Sequence, residues 1–268
     1  MSDFGYGHDN FGRISAKYTA TATYAGTTNT KGAWVEIVSS CPSGVNEIIV
    51  TMQGADGASS THLTWLLDVG IGAAGSEVVL IPDIHHHSYD TASGNAVYSR
   101  SQFPAAIPAG TRIAIRAQCS HAYACSADIH LLSADLTGAR LSRIDAMGVV
   151  SSVSAGTQVT CPASGEGSWV EISSSAARAY HKLGLSVINN QNALDLVSLI
   201  DIGIGAAASE NAVMTDMQYI FRPAISGTHP KGVTWIPITV AQGVRIAARC
   251  GFGGGSVNHP RVIIYGAY

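Results

Sequence analysis

Two stretches of this 268-residue sequence are nearly identical: LLDVGIGAAGSE at residues 66–77 and LIDIGIGAAASE at residues 199–210. Their aspartates stand 133 positions apart. A second pair of similar segments precedes them, because GAWVEIVSS at residues 32–40 returns as GSWVEISSS at residues 167–175. Repeats that keep their order at a nearly constant offset indicate an internal duplication.

The duplication extends over nearly the whole chain. A third pair follows the first two, since GTRIAIRAQC at residues 110–119 returns as GVRIAARCGF at residues 243–252. We therefore expect two domains of the same fold, the first at residues 11–138 and the second at residues 139–268. Residues 1–10 precede the repeats as a short arm that contains glycine and aromatic residues.

The repeated segments alternate between apolar and small or polar residues, which is typical of β-strands. In the first segment Leu67, Val69 and Ile71 would face a core, while Asp68 and two glycines would face away from it. β-branched runs bounded by Gly, Pro, Ser and Asn follow one another, and no sustained helical periodicity interrupts them. This pattern predicts an all-β protein made of two tandem jelly-roll-like β-sandwiches.

The composition limits the kinds of molecule that this protein is expected to bind. Charged residues make up 12% of the chain, well below the roughly 25% of ordinary soluble domains. The net charge of −3 and the lack of a Lys/Arg run argue against nucleic acid. No apolar run approaches the roughly 20 residues of a membrane helix, and the first residues do not resemble a signal peptide. We expect a protein made in a cytoplasm whose weakly charged surface is covered by copies of itself or by other proteins.

The acidic residues of the repeat allow three interpretations. Asp68 with Glu77, repeated as Asp201 with Glu210, could be a catalytic acid pair as in glycosidases. Both acids lie near one strand end, however, and no aromatic sugar platform recurs beside them. Calcium binding is a second interpretation, although the loops lack the dense Asp/Asn spacing of calcium loops. The third interpretation, which we favour, is a structural joint between neighbouring strands.

The joint hypothesis rests on arginines that recur in register with the two aspartates. They lie on the strand GTRIAIR and on its copy, on the face opposite the isoleucines. A partly buried pair of this kind fixes strand register more than it adds stability. The residues of the predicted joint are Asp68, Arg112 and Arg116 in the first half and Asp201, Arg245 and Arg249 in the second.

One histidine cluster, DIHHHSYD at residues 83–90, suggests a metal site. On a strand His85 and His87 would share a face and could share an ion, whereas His86 would point to the other side. Zinc needs three or four ligands, and local spacing does not supply the others. The second half has no equivalent cluster, so we prefer a polar loop or a subunit contact.

The five cysteines cannot all pair within one chain, and none has a CxxC spacing. Free thiols are the expectation in a reducing compartment. The alternative is pairing between subunits, for which Cys161 and Cys250 would be suited if they were exposed. Trp34 and Trp169 recur at the same place in each half, and we expect both to be core residues.

The segments LLDVGIGAAGSEVVLIPDI and IPAGTRIAIRAQC resemble a group of small β-sandwich modules in tailed-bacteriophage virion proteins. The shared pattern is a tryptophan strand, a Leu-Asp strand ending in Gly-Ser-Glu, an Ile-Pro turn and a Pro-Ala-Gly-Thr-Arg strand. The first half matches throughout. The second half departs at Ala208, where the pattern has glycine, and at VAQGVR, where it has PAGTR.

The resemblance implies a structural component of the virion exterior, such as a collar, neck, head or tail decoration, or fibre adaptor. Its partners would be copies of itself and other virion proteins in a ring or lattice, and it implies no catalytic residue and no cofactor. We therefore expect that the chain is not an enzyme. An alternative is a receptor- or glycan-binding module of a tail fibre or baseplate, which would need an aromatic-lined groove. A glycan hydrolase that uses Asp68 and Glu77 is a third possibility.

Overall fold

The computed structural model of the chain describes residues 14–22, 27–54, 62–89, 98–133, 143–189, 196–221, 232–252 and 259–268. These residues form strands, turns and one short 3₁₀ turn at Ser151–Val153, with no α-helix among them. The predicted all-β fold is confirmed. The N-terminal arm and the boundary between the predicted domains at 138/139 lie outside the described residues. No helix in the described ranges is long and apolar enough to cross a bilayer.

The first half is a sandwich of two four-stranded antiparallel sheets, in the orders β1-β8-β3-β6 and β2-β7-β4-β5. This interleaving of the chain between two sheets is the jelly-roll arrangement. The strands are β1 (Ile14–Ala22), β2 (Val35–Val38), β3 (Val45–Gly54), β4 (His62–Ile71), β5 (Val78–Tyr89), β6 (Tyr98–Ile107), β7 (Ile113–Cys119) and β8 (Cys125–Ser133).

The second half repeats this topology. One sheet has the order β12-β17-β14-β15, and the other has the order β10-β11-β18-β13-β16, with β9 also paired to β18. Three short strands thus take the place of the single strand β1. The strands are β9 (Ile144–Met147), β10 (Val149–Val150), β11 (Ala155–Gln158), β12 (Val170–Ser173), β13 (Lys182–Ile188), β14 (Leu196–Ile204), β15 (Asn211–Phe221), β16 (Thr234–Ile236), β17 (Ile246–Phe252) and β18 (Arg261–Ala267).

The two sandwiches share part of their cores through β18. Val262 and Ile264, on one face of this strand, belong to the core of the second sandwich. Ile263, Tyr265 and Ala267, on the other face, pack into the core cluster of the first sandwich. Because β18 is buried on both faces, it reads as the nearly continuous apolar run RVIIYGAY rather than as an alternating pattern.

Each copy of the opening motif contains a β-bulge. The register of β4 with β5 shifts around Asp68, and the register of β14 with β15 shifts around Asp201. The facing residues, Asp83 and Asp216, have left-handed backbones with φ of 51° and 53°. Aspartate tolerates this conformation better than most residues do. The bulges bend both edge strands at the same place and bring an amide N–H under each aspartate of the motif.

The cysteine prediction is corrected by the structure. Cys161 and Cys250 form a disulfide within the chain, with their Cα atoms 4.9 Å apart. These two residues are therefore not the free thiols that we expected, and because both are buried in the second sandwich they are not accessible for the alternative, pairing between subunits. The other three cysteines are buried free thiols. This pairing could not be predicted from spacing, because the two residues are 89 positions apart and only the fold brings them together.

Candidate functional site

The two aspartates of the repeat act as acceptors for the bulged strands. Asp68 Oδ1 accepts the N–H of Asp83 at 2.9 Å, and Asp201 Oδ1 accepts the N–H of Asp216 at 2.7 Å. The bulge turns each of these N–H groups away from the strand ladder, and an unpaired N–H beside a buried side chain is costly. Each aspartate therefore holds the register of its edge strand through its side chain.

An arginine from the neighbouring strand completes each copy. Arg116 Nε lies 2.8 Å from Asp68 Oδ2, and Arg249 Nε lies 2.8 Å from Asp201 Oδ2. Each guanidinium also stacks on a tryptophan, with its central carbon 4.4 Å from the ring centre of Trp34 in the first copy. The corresponding distance in the second copy is 4.6 Å. The paired charges and the ring form one layer on the outer face of each sheet.

The tryptophans correct another expectation. Trp34 and Trp169 are half-buried on the outer face of the sheet and are not core residues. A Cβ on Gly70 would come within 2.6 Å of the Trp34 ring, and one on Gly203 would come within 2.9 Å of the Trp169 ring. The glycines of the motif therefore leave space for the indole, which explains why they recur together with it.

The other two arginines of the predicted joint have different partners. Arg112 contacts Glu36 at 2.7 Å and Glu77 at 2.9 Å, rather than Asp68. Its copy Arg245 contacts Glu171 at 2.8 Å and Glu210 at 2.6 Å. Each copy thus contains two separate groups of ion pairs along one strand, one around each arginine. The glutamates of the two WVEI segments, Glu36 and Glu171, recur in the sequence, and this recurrence is the sequence signal of the pairing.

The carboxyls that could form a catalytic pair are already engaged. Burial alone would raise the pKa of Glu77. Hydrogen bonds from backbone N–H groups and from Arg112, together with the charge of Arg112, outweigh this effect and hold that pKa below its ordinary value. The pKa of Glu210 is lowered by the same balance, with Arg245 as the cation. A general acid needs a raised pKa, so these two glutamates are not suited to that role.

The first copy forms the floor of a cleft between the two sandwiches, which we call the interdomain cleft. Its volume is about 460 Å³. The second sandwich contributes Arg143, Asp145, Arg178 and Tyr268 to its walls, among other residues. Lys31 reaches into it and contacts Asp68 at 2.7 Å and Asp83 at 2.9 Å. Tyr268 is the one aromatic residue among the described lining residues, which differs from the aromatic-lined groove that a glycan-binding module would need.

The two copies differ in one charge. Lys31 stands directly before the GAWVEI segment, and Glu166 occupies the equivalent position before GSWVEI. In the second copy Glu166 Oε2 lies 3.3 Å from the guanidinium of Arg249. The charges around Asp68 therefore balance, with Lys31 and Arg116 against two aspartates, whereas acids outnumber arginine around Asp201. The cleft of the first copy is the less acidic environment.

We expect that replacing Glu166 with glutamine raises the melting temperature at neutral pH by about 1–2 °C. Burial, followed by the charges of Asp201 and Asp216, raises the pKa of Glu166, although Arg249 opposes the shift. A carboxyl whose pKa is raised in the folded state lowers the stability of the protein as the pH rises through that pKa, because the charged form is less favourable in the folded than in the unfolded chain. The gain should therefore disappear below the ordinary glutamate pKa, which a thermal melt at two pH values measures.

Glu171→Gln is the matched control for this prediction, because Glu171 is similarly exposed and also contacts an arginine of its copy. It is expected to leave the melting temperature unchanged or to lower it. A Glu166→Gln variant that melts below the wild type at neutral pH would contradict the prediction.

The three histidines of the cluster, which we expected in a polar loop or a subunit contact, lie in the strand β5, and the candidate ligands His85 and His87 do not form a metal site among the described residues. His85 and His87 lie on the same face of β5, opposite Leu66 and Thr64 of β4. Burial, followed by the charges of His86 and Arg261, lowers the pKa of His85 to about 3. No cluster of three or more His, Cys, Asp or Glu residues with metal-ligand geometry occurs in the described part of the chain.

The fold and the repeated joint define a tandem jelly-roll β-sandwich. No protein-family model and no curated protein matches the sequence. Among solved structures, one of PNGF-II is similar, with a TM-score of 0.45 and 9% identity. The match covers 94% of this chain but only 65% of the PNGF-II chain. A peptide-N(4)-(N-acetyl-β-D-glucosaminyl) asparagine amidase is similar with a TM-score of 0.40 and 8% identity, covering 95% of this chain and 96% of that one. The CBM22-1–CBM22-2 tandem domain of Paenibacillus barcinonensis Xyn10C matches with a TM-score of 0.29 and 9% identity over 96% of this chain and 93% of that one.

These similar structures correct the prediction that the chain is not an enzyme. That prediction treated the fold as one that carries no chemistry, and an amidase is among the structures that resemble it. The exclusion of enzymes therefore does not stand. At TM-scores below 0.5 the similarity assigns no activity and no residue role to this chain.

Proposed function

We propose that this chain is a structural protein of a tailed-phage virion that assembles with copies of itself into a ring or lattice on the particle exterior. The observation that carries the proposal is an asymmetry between the two halves. The first sandwich has one sheet face covered by the second sandwich, and the equivalent face of the second sandwich is open to solvent. A head-to-tail contact between chains would cover it.

The covered face lies on β4 and β5. Leu66 is 0% exposed and its partner His85 is 3% exposed, and strands of the β18 sheet contact both β4 and β5. The equivalent residues of the second sandwich are Leu199, which is half-buried, and Gln218, which is exposed. Beside them Ile220 is 44% exposed, and among the large apolar side chains of the described residues only Val78 is more exposed. An apolar side chain on an open sheet face favours a protein partner.

The edge of the sheet shows the same asymmetry. The hydroxyl of Tyr265 accepts the N–H of His85 at 3.1 Å and donates to the carbonyl of Asp83 at 2.8 Å. These backbone groups lie on the edge strand β5. On the edge strand β15 the equivalent residues, Gln218 and Asp216, are exposed. An edge strand of eleven residues (Asn211–Phe221) whose outer edge pairs with none of the described strands is a natural site for pairing with another chain.

A contact between different surfaces of identical chains closes into a ring or extends into a lattice, depending on the rotation between neighbours. In this chain the face on β4 and β5 is covered and the equivalent face on β14 and β15 is open, so the open face of one chain can be covered by a different surface of the next chain. The low proportion of charged residues, 12%, also favours a surface that is covered by other protein. The resemblance of both halves to phage virion modules supports the proposed location, as a collar or neck sheath or a head or tail decoration.

The assembly is tested by Ile220→Lys, which places a charge on the open face. Static light scattering of the purified chain is expected to show oligomers for the wild type and a mass near the 27.8 kDa of one chain for the variant. The matched control is Val78→Lys, which replaces another exposed apolar residue, at the start of β5. It should leave the oligomer intact. A wild-type chain that stays monomeric at high concentration, alone and with virion proteins, would overturn the assembly.

The location is tested separately by electron microscopy of virions labelled with an antibody against this chain. Labels in a regular array on the collar, neck, head or tail are expected. Purified particles that carry no label, from cells that express the protein, would overturn the virion role even where the isolated chain forms oligomers.

A further inference from the structure

We propose that the interdomain cleft is a binding site for a small ligand that carries an oxyanion, either a carboxylate or a phosphate. The proposal concerns the covered copy of the motif and is independent of assembly through the open copy. It rests on the shape of the cleft, on the charges that line it and on the difference between the two copies.

The cleft has the place and size of a ligand site. It lies between two domains, where binding sites are common, and its volume of about 460 Å³ suits a small organic molecule. Its floor is rigid because Asp68 is held at once by Arg116, by Lys31 and by the N–H of Asp83. Gln118 adds a link to the second sandwich through a 2.8 Å hydrogen bond to the carbonyl of Ser151.

The charges that line the cleft favour an anion. Among the charged side chains that line it, four cations stand against three carboxylates, which leaves one positive side-chain charge in excess: Lys31, Arg116, Arg143 and Arg178 against Asp68, Asp83 and Asp145. Asp145 is shared by Arg178 at 3.3 Å and by the hydroxyl of Tyr180 at 3.0 Å. Arg143 makes no ion pair with any residue that the structure describes, and it is exposed at the cleft wall.

The hydrogen-bonding groups of the cleft point to the same ligand chemistry. A guanidinium only donates, and it carries more N–H groups than the contacts above use. Arg178 is also fixed in place, because its central carbon stacks 4.5 Å from the ring centre of Tyr268. The cleft therefore has more hydrogen-bond donors than acceptors. Carboxylate or phosphate oxygens can accept from the remaining donors, and arginine binds such groups through two parallel hydrogen bonds.

The second copy of the motif shows that the positive charge of Lys31 is not required by the Asp–Arg–Trp layer. The Asp–Arg–Trp layer is complete there with Glu166 in the place of Lys31. The lysine is therefore not needed to build the layer. Its presence only in the copy that faces Arg143 and Arg178 adds a cation at the point where the second sandwich brings two more.

The experiment is isothermal titration of the full chain with three probes: inorganic phosphate, sodium glucuronate and neutral glucose. We expect phosphate, glucuronate or both to bind and glucose not to bind. Binding of glucuronate alone identifies a carboxylate ligand, and binding of phosphate alone identifies a phosphate ligand. In Arg143→Ala the affinity for the bound probe should fall about tenfold, which corresponds to the loss of one charged hydrogen-bonding group.

The matched control is Arg100→Ala, which removes an exposed arginine on β6 that does not line the cleft. It should leave the affinity unchanged and so exclude a general effect of surface charge. Lys31→Glu, which gives the cleft the charge of the second copy, should abolish binding. Three results would each overturn the proposal: no binding of either anion, equal binding of glucose and glucuronate, or an affinity that Arg143→Ala leaves intact.

Discussion

Replacing Asp201 with alanine is expected to lower the free energy of unfolding by about 3 kcal/mol. The substitution removes the carboxylate that Arg249 contacts and the acceptor of the Asp216 N–H. Asp201 is 1% exposed, so its loss leaves the Asp216 N–H unpaired and removes the buried partner of Arg249, which among the described carboxylates keeps only the more distant Glu166 at 3.3 Å. Arg249 is 27% exposed and gains some water, which places the effect at the low end of the range for buried ion pairs. Urea unfolding followed by tryptophan fluorescence measures it.

The matched control is Asp128→Ala, which breaks an ion pair of similar length between Lys17 and Asp128 on the first sandwich. In that pair neither side chain is buried, since Lys17 is 55% and Asp128 is 27% exposed, so its loss is expected to cost less than about 1 kcal/mol. If the two variants unfold at the same urea concentration, the buried joint contributes no more than a surface pair. The structural role of the repeated aspartates would then be wrong.

Replacing Tyr265 with alanine is expected to lower the free energy of unfolding by about 3–5 kcal/mol. The side chain is fully buried between the sandwiches, and its ring packs edge-on against Phe103 with centroids 5.4 Å apart. Burial raises the pKa of its hydroxyl above the ordinary value, so the hydroxyl stays protonated and can donate to the carbonyl of Asp83. Urea unfolding of the purified variant measures the loss.

Two further variants separate the parts of this effect. Tyr265→Phe removes only the hydroxyl and leaves the His85 N–H unpaired, which is expected to cost about 1–3 kcal/mol. Leu132 occupies the position equivalent to Tyr265 in the first sandwich and is half-buried, so Leu132→Ala should cost about 1 kcal/mol. A Tyr265→Ala variant no less stable than Leu132→Ala would mean that the two sandwiches do not support each other.

The repeats and the strand periodicity were enough to predict the architecture. Alternation placed Leu67 and Val69 in the core and Asp68 on the outer face, and the structure has them there. The pairing of Asp68 with Arg116 follows from strand neighbours, because the two residues face each other in the register of β4 and β7. The prediction for the tryptophans was wrong, because a large apolar residue that recurs in both halves is most often a core residue. Only the facing glycine shows that Trp34 lies outside.

The cleft could not be predicted because it depends on how the two halves pack together. Arg143 and Arg178 reach the first sandwich from a part of the chain more than 100 positions away from Lys31, and no periodicity relates such residues. Tyr265 could be placed on a strand, but the apolar pattern of β18 does not say which of its faces meets another domain. The disulfide between Cys161 and Cys250 could not be predicted because the two residues lie 89 positions apart within the second half, and only the fold of that half brings them together.

The strand β18 has a consequence for how the molecule folds. Its alternate side chains complete two hydrophobic cores at once, so neither half can open without exposing apolar surface in the other. The halves of the duplicated chain are therefore one cooperative unit, and heat should melt them in a single transition. A gene that began as two copies of one module encodes a molecule that can no longer be divided into them.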